Sequence, residues 1–160
     1  MVIRIRDMSE QDPSLVSRVR NLEAREAIKE LKARYARGAD AVFGNPGPAS
    51  ATALADLFTD DGVLDLGPFG RYEGRAALLD AFENILPQGT KWSTHYIVNP
   101  LLEIDHDEAQ GQWYYLIQSL PAGEGASVIQ IFGSYTDSYR RVDGCWRIAE
   151  SISGFFIPPA

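Results

Sequence analysis

"WSTHYIVNPLLEIDHDEAQGQWYYLIQSL", residues 92–120, decides the fold. Two runs rich in aromatic and β-branched residues flank an acidic, turn-forming stretch at 105–109. Such residues fit a pleated, half-buried surface, so the runs read as paired strands. The same pattern repeats downstream. "SVIQIFGSYTDSYRRV" (127–142) and "CWRIAESISGFF" (145–156) flank Asp143-Gly144, a strong signal for a two-residue hairpin. Everything after Lys91 therefore reads as a long antiparallel meander.

Upstream the period changes from two to about 3.6. Ala24, Ala27, Ile28, Leu31, Tyr35 and Gly38 form one apolar stripe, so the spacing predicts a helix from about Asn21 to Phe43. "GNPGP" (44–48) ends it with turn residues. A second helix is predicted over about Ala49–Phe58, closed by Asp60-Asp61-Gly62. Two short strands, "GVLDL" and "GRYEG", come next. A third helix follows over about Arg75–Leu86, with Leu78, Leu79, Phe82 and Leu86 on one face. Helices first and a meander last imply an α+β fold, with about three helices covering the concave face of a curved, mainly antiparallel sheet. Such a cone has a mouth suited to an apolar ligand.

The chain has 160 residues, which favours one domain with a full core. Residues 1–20 read as an N-terminal extension, in which "VIRIR" is a candidate edge strand, and residues 21–160 as the domain. A single cysteine, Cys145, excludes an internal disulfide and a four-cysteine zinc site. The net charge of −7 argues against a nucleic-acid partner. The basic stretch from Arg18 to Arg37 is interrupted by Glu23, Glu26 and Glu30 and reads as a solvated helix face. No apolar run approaches the roughly 20 residues of a membrane span, and the first residues lack the apolar core of a signal peptide. The expectation is a cytoplasmic protein with no membrane partner.

Of two histidines, His106 lies in "DHDEAQG" and reads as solvated. His95 lies among strand formers. It is either a structural histidine satisfied by a backbone carbonyl or a base, since imidazole exchanges a proton near neutral pH. Asp105, Asp107 and Glu108 lack the spacing of a calcium loop and read as a hairpin turn, so no metal is expected. "GSY" and "SISG" lack the setting of a nucleophile elbow.

The segments "AIKELKARYARGAD", "LADLFTDDGVLDL", "GRYEGRAALLDAF", "THYIVNPLLEI" and "YTDSYRRVDGCWRI" together resemble the SnoaL-like branch of the nuclear-transport-factor-2-like superfamily. The resemblance covers roughly residues 21–157. That branch holds polyketide cyclases, scytalone dehydratase, bile-acid 7α-dehydratase and a hexachlorocyclohexane dehydrochlorinase, and its fold is an α+β cone. In its dehydratases and dehydrochlorinase, an aspartate late in the first helix pairs with a strand histidine that acts as base. The matching positions are Asp40 and His95, and a tyrosine of the bile-acid enzyme matches Tyr35. A last-strand arginine of the dehydrochlorinase and the bile-acid enzyme falls at Ser151. Helical periodicity by itself turns Asp40 roughly 160° from the apolar stripe, towards solvent.

The resemblance implies a cofactor-independent lyase of dehydratase type, or an isomerase or cyclase, acting on a hydrophobic cyclic small molecule. His95, Asp40 and Tyr35 are the expected catalytic group, and Phe43, Phe58, Tyr115, Phe132 and Ser151 the expected pocket wall. The aromatic-rich strands imply a homo-oligomer, a dimer or trimer. Two other readings remain open: a non-catalytic binder of a small apolar ligand, and the small subunit of a ring-hydroxylating oxygenase.

Overall fold

The computed structural model describes residues 13–156. The candidate N-terminal strand "VIRIR" lies outside the described residues. Helix α1 (Pro13–Gly44) is followed by α2 (Pro48–Ala55), β1 (Phe58–Asp65), β2 (Arg71–Glu73) and α3 (Gly74–Asp80). Four long strands complete the order: β3 (Thr90–Asp105), β4 (Glu108–Pro121), β5 (Ile129–Val142) and β6 (Cys145–Phe155). They form one curved six-stranded sheet in the order β2-β1-β6-β5-β4-β3. Every pairing is antiparallel except that of β1 with β6, which is parallel. This is the expected α+β cone.

Three boundaries differ from the sequence expectation. Helix α1 starts at Pro13, not near Asn21. Its first turns carry Leu15, Val19 and Leu22 at helical spacing, but all three are exposed and lie outside the core. Proline is well suited to a first helical position, where its missing N–H costs nothing. Helix α2 stops at Ala55, and Phe58 already belongs to β1. Asp60-Asp61-Gly62 is not a helix stop but an irregularity in the β1–β6 pairing between Phe58 and Val63. Helix α3 runs on through a wide turn at Ala81–Ile85 and a short tight one at Leu86–Gly89.

Both hairpin turns use left-handed backbone. Asp143 and Gly144 have φ of 50° and 78°, and His106 has φ of 55°. At Asp143-Gly144, positive φ at both central residues matches the right-handed twist of the flanking strands. As expected, His106 is solvated, with its side chain 95% exposed beside Asp105.

Strand alternation decides what faces the helices. On β3, Ser93 and His95 turn inward while Tyr96 and Val98 stay exposed. The β3–β4 register then shifts between Val98 and Leu101, at an Asn99 with φ of 55°. Beyond this bulge the inward positions become even-numbered, so Leu102 is buried. On β4 and β5 the inward set includes Trp113, Tyr115, Tyr135, Asp137 and Tyr139. These pack with Ile28, Leu31, Tyr35 and Val42 of α1 into one core. Among the described residues no helix is long and apolar enough to cross a membrane.

Candidate functional site

A cavity of about 410 Å³ opens between α1, the turns after α3 and the inner face of β3–β6. Its wall is mainly apolar, with Val42, Phe43, Leu64, Phe82, Leu86 and Ile131 prominent. The polar groups are His95, Tyr35, Tyr115, Tyr135, Thr90, Ser93, Ser119 and Ser153. Among the described residues that line it, none is Lys, Arg, Asp or Glu.

Asp40 reaches His95 across the α1–β3 contact. His95 Nδ1 lies 2.6 Å from Asp40 Oδ1. The backbone N–H of His95 donates to the same oxygen at 3.0 Å, and the Ser93 hydroxyl donates to it at 3.3 Å. A carboxylate that accepts from the backbone of the strand it faces is held in register with that strand. The His95 side chain is 7% exposed and that of Asp40 28%. The Phe43 ring lies nearly parallel to the imidazole, 6° between planes at 6.4 Å. With Nδ1–H directed at a carboxylate, the hydrogen-bond network assigns the lone pair to Nε2.

The solvent-facing position that periodicity gave Asp40 is corrected here. The buried sector of α1 is wider than one stripe. Tyr35 and Val42 face the core, and the carbon of a side chain at Gly38 would press on Leu54 of α2 at 2.9 Å. Ala36 and Ala39 are buried as well. Asp40 sits one turn beyond Ala36, at the edge of that sector where β3 passes.

Tyr35, Phe43 and Tyr115 line the cavity. Phe58, Phe132 and Ser151, expected there, do not. Phe58 is buried beneath the wall, against Tyr35 and Phe82. Phe132 falls on the outward phase of β5 and is 39% exposed. Ser151 is sealed in the core, where its hydroxyl donates to Asp137 Oδ1 at 2.7 Å.

That hydroxyl belongs to a buried polar cluster behind the cavity. Lys32 Nζ lies 2.8 Å from Asp137 Oδ2 and 3.4 Å from Ser151 Oγ. The Tyr139 hydroxyl donates to Asp137 Oδ2 at 2.5 Å, and Trp113 Nε1–H donates to Tyr139 at 3.0 Å. Lys32 is the exception to the solvated face expected of Arg18–Arg37, being 1% exposed. Burial pulls its ammonium below the ordinary lysine value, and Asp137 opposes that shift. Sequence reading missed Lys32, Asp137, Ser93 and Tyr135. For the last three the signal was present: two-residue alternation puts Ser93 on the face of His95, and Tyr135 and Asp137 on the face of Tyr139.

The tyrosines stay protonated. Burial, then the charge of Asp137, raises Tyr35 above the ordinary phenol value. Burial likewise raises Tyr135 and pushes Tyr115 up to about 12. Tyr115 donates to the Gly154 carbonyl at 3.1 Å by crossing over Gly133. A β-carbon at Gly133 would overlap both the Tyr115 hydroxyl and that carbonyl. Gly133→Ala is expected to cost about 1–3 kcal/mol, the range for overpacking, seen as a lower urea midpoint with an unchanged slope.

The SnoaL-like domain family model matches residues 20–152. Gamma-hexachlorocyclohexane dehydrochlorinase of Sphingobium indicum is 30% identical over 110 residues, spanning 67% of this chain and 70% of that protein. The crystal structure of a type 2 hexachlorocyclohexane dehydrochlorinase superposes with a TM-score of 0.75 at 27% identity, covering 86% of this chain and 88% of the other. A nuclear-transport-factor-2-like protein with a cystatin-like fold from Novosphingobium aromaticivorans superposes with a TM-score of 0.74 at 23% identity, covering 94% of each chain.

Proposed function

Because this chain belongs to the SnoaL-like domain family, we propose that it is a lyase or isomerase that removes a proton from a hydrophobic cyclic small molecule using its own side chains. The observation that carries the reading is the 2.6 Å contact of Asp40 with a histidine in the wall of an apolar cavity. Similarity to hexachlorocyclohexane dehydrochlorinases supports an elimination from a ring-shaped substrate.

The proposed chemistry follows from the nitrogens. Nε2 of His95 takes a proton from a substrate carbon, and the carbon–hydrogen pair moves into the ring. In a lyase that pair forms a double bond and expels a group from the neighbouring carbon. In an isomerase it rests on a carbonyl oxygen until a proton returns elsewhere. Asp40 holds the tautomer and stabilises the imidazolium after transfer. The Tyr35 hydroxyl, held protonated, donates to the oxygen on which charge develops.

A deuterium-exchange assay tests this without knowledge of the substrate. A panel of cyclic ketones in deuterated buffer should include one whose α-protons exchange under catalysis by the wild type. Asp40→Asn should slow that exchange at least about 10-fold, because it keeps the shape and removes the charge. If ligands bind but none exchanges, the observation favouring a second reading gains weight: an uncharged, mainly apolar wall also suits a non-catalytic binder.

We also propose that the molecule self-associates through the outer face of the sheet. Tyr96, Val98, Tyr114 and Phe132 form a continuous exposed apolar patch over β3–β5. Light scattering should give a mass at least twice the 17.7 kDa of one chain. Tyr114→Glu should shift it towards the monomer.

A further inference from the structure

The buried cation behind the cavity needs an explanation that stability does not supply. A buried ion pair rarely stabilises more than apolar residues of the same volume would. Lys32 nevertheless sits with its Nζ 3.9 Å from the ring centroid of Tyr135 and 4.5 Å from that of Tyr35. Both rings line the cavity, and they meet edge to face at 5.9 Å. Burial holds both hydroxyls protonated. Lys32 is not among the cavity-lining residues, so it stacks against the two rings from behind the wall. Asp137 holds it there, itself fixed by Ser151 and Tyr139.

We infer that Lys32 is a positioning residue that makes the Tyr35–Tyr135 pair a second polar pole of the cavity, a hydrogen-bond donor for an acceptor oxygen on an uncharged ring-shaped ligand. A cation is attracted to the face of an aromatic ring, so Lys32, itself fixed by Asp137, holds both rings in place in the cavity wall. Both phenols belong to the cavity wall, so either hydroxyl can donate to the ligand. The cation itself never meets the ligand, and Asp137 cancels its net charge, so the site offers donation rather than an anion-binding charge. Asp40 lies five residues after Tyr35, about 7.5 Å further along the helix. The two poles are therefore separated along the cavity, one set to take a proton and the other to hold an oxygen.

The inference rests on the functional reading above, and a binding experiment separates the two. The probes are 1-tetralone, which carries one acceptor oxygen, and tetralin, the same frame without it. Isothermal titration against wild type should show tetralone binding about 10-fold more tightly, the worth of one good donor. Two variants remove the buried charge. Lys32→Gln keeps a donor towards Asp137, and Lys32→Met/Asp137→Asn neutralises the pair, so one remains if the other fails to fold. In whichever folds, the tetralone preference should fall to about 2-fold or less while tetralin affinity stays unchanged. A purely structural role would move both affinities together or neither. An unchanged preference in the variants, or no preference in wild type, overturns the inference. His95→Ala should leave the preference intact, so a protein that loses exchange there but keeps the ratio has two independent poles. A ratio that collapses in the Lys32 variants, in a protein that exchanges no ketone, keeps this inference and ends the enzymatic one.

Discussion

Turnover by His95→Ala is expected to fall at least about 100-fold, with folding unchanged. That is the lower end of what a positioned general base contributes. The side chain is almost fully covered, but it is not part of the central core, and its ring borders a cavity rather than tightly packed neighbours. Removing it leaves Asp40 with the His95 backbone N–H and the Ser93 hydroxyl as donors, so the carboxylate is not stranded. The loss should therefore appear in kcat, not in the unfolding midpoint. A variant that keeps more than about a tenth of wild-type turnover would remove His95 from the chemistry.

The second large effect is on stability. Asp137→Ala is expected to cost about 3–5 kcal/mol, because it leaves the Lys32 ammonium buried without its counter-charge. The deletion also strands the Ser151 and Tyr139 hydroxyls, which both donate to that carboxylate. A domain whose total stability is about 5–15 kcal/mol will show this as a large shift in urea midpoint. Adding Lys32→Met should recover most of the loss, since an apolar pair of similar volume costs nothing in desolvation. If Asp137→Ala unfolds at the wild-type midpoint, the Lys32 ammonium does not depend on Asp137 as its buried counter-charge.

Strands and hairpins were legible in the sequence because their signals are local. Asp143-Gly144 specifies its turn through two residues, and the acidic turn at 105–108 does the same. The Asp40–His95 meeting was legible only through family resemblance. The helix periodicity pointed elsewhere, since α1 packs on α2 as well as on several strands and its stripe reports only one side. Lys32 was illegible for a different reason. Its partner lies 105 positions away on another element, and a lysine among arginines and glutamates reads as solvated until the sheet is assembled. Phe132 could have been placed correctly, because counting two-residue steps from Tyr135 puts it outside. Ser151 could not, since the β5–β6 register shifts between Ser138 and Tyr139.

The position of β6 has a consequence for how the protein is made. It lies inside the sheet, pairing with β1 on one side and β5 on the other. It is also the last of the six strands to leave the ribosome. Until residues 145–155 emerge, β1 and β2 have no edge to join, and β5 has an open one. From the emergence of β4 until that of β6 the nascent chain therefore carries two separate fragments with unpaired strand edges. Closure is a single late event spanning ninety positions between Phe58 and Ile148. Slowing translation would not help such a chain to fold by stages; it would lengthen the time in which open edges can meet those of another copy.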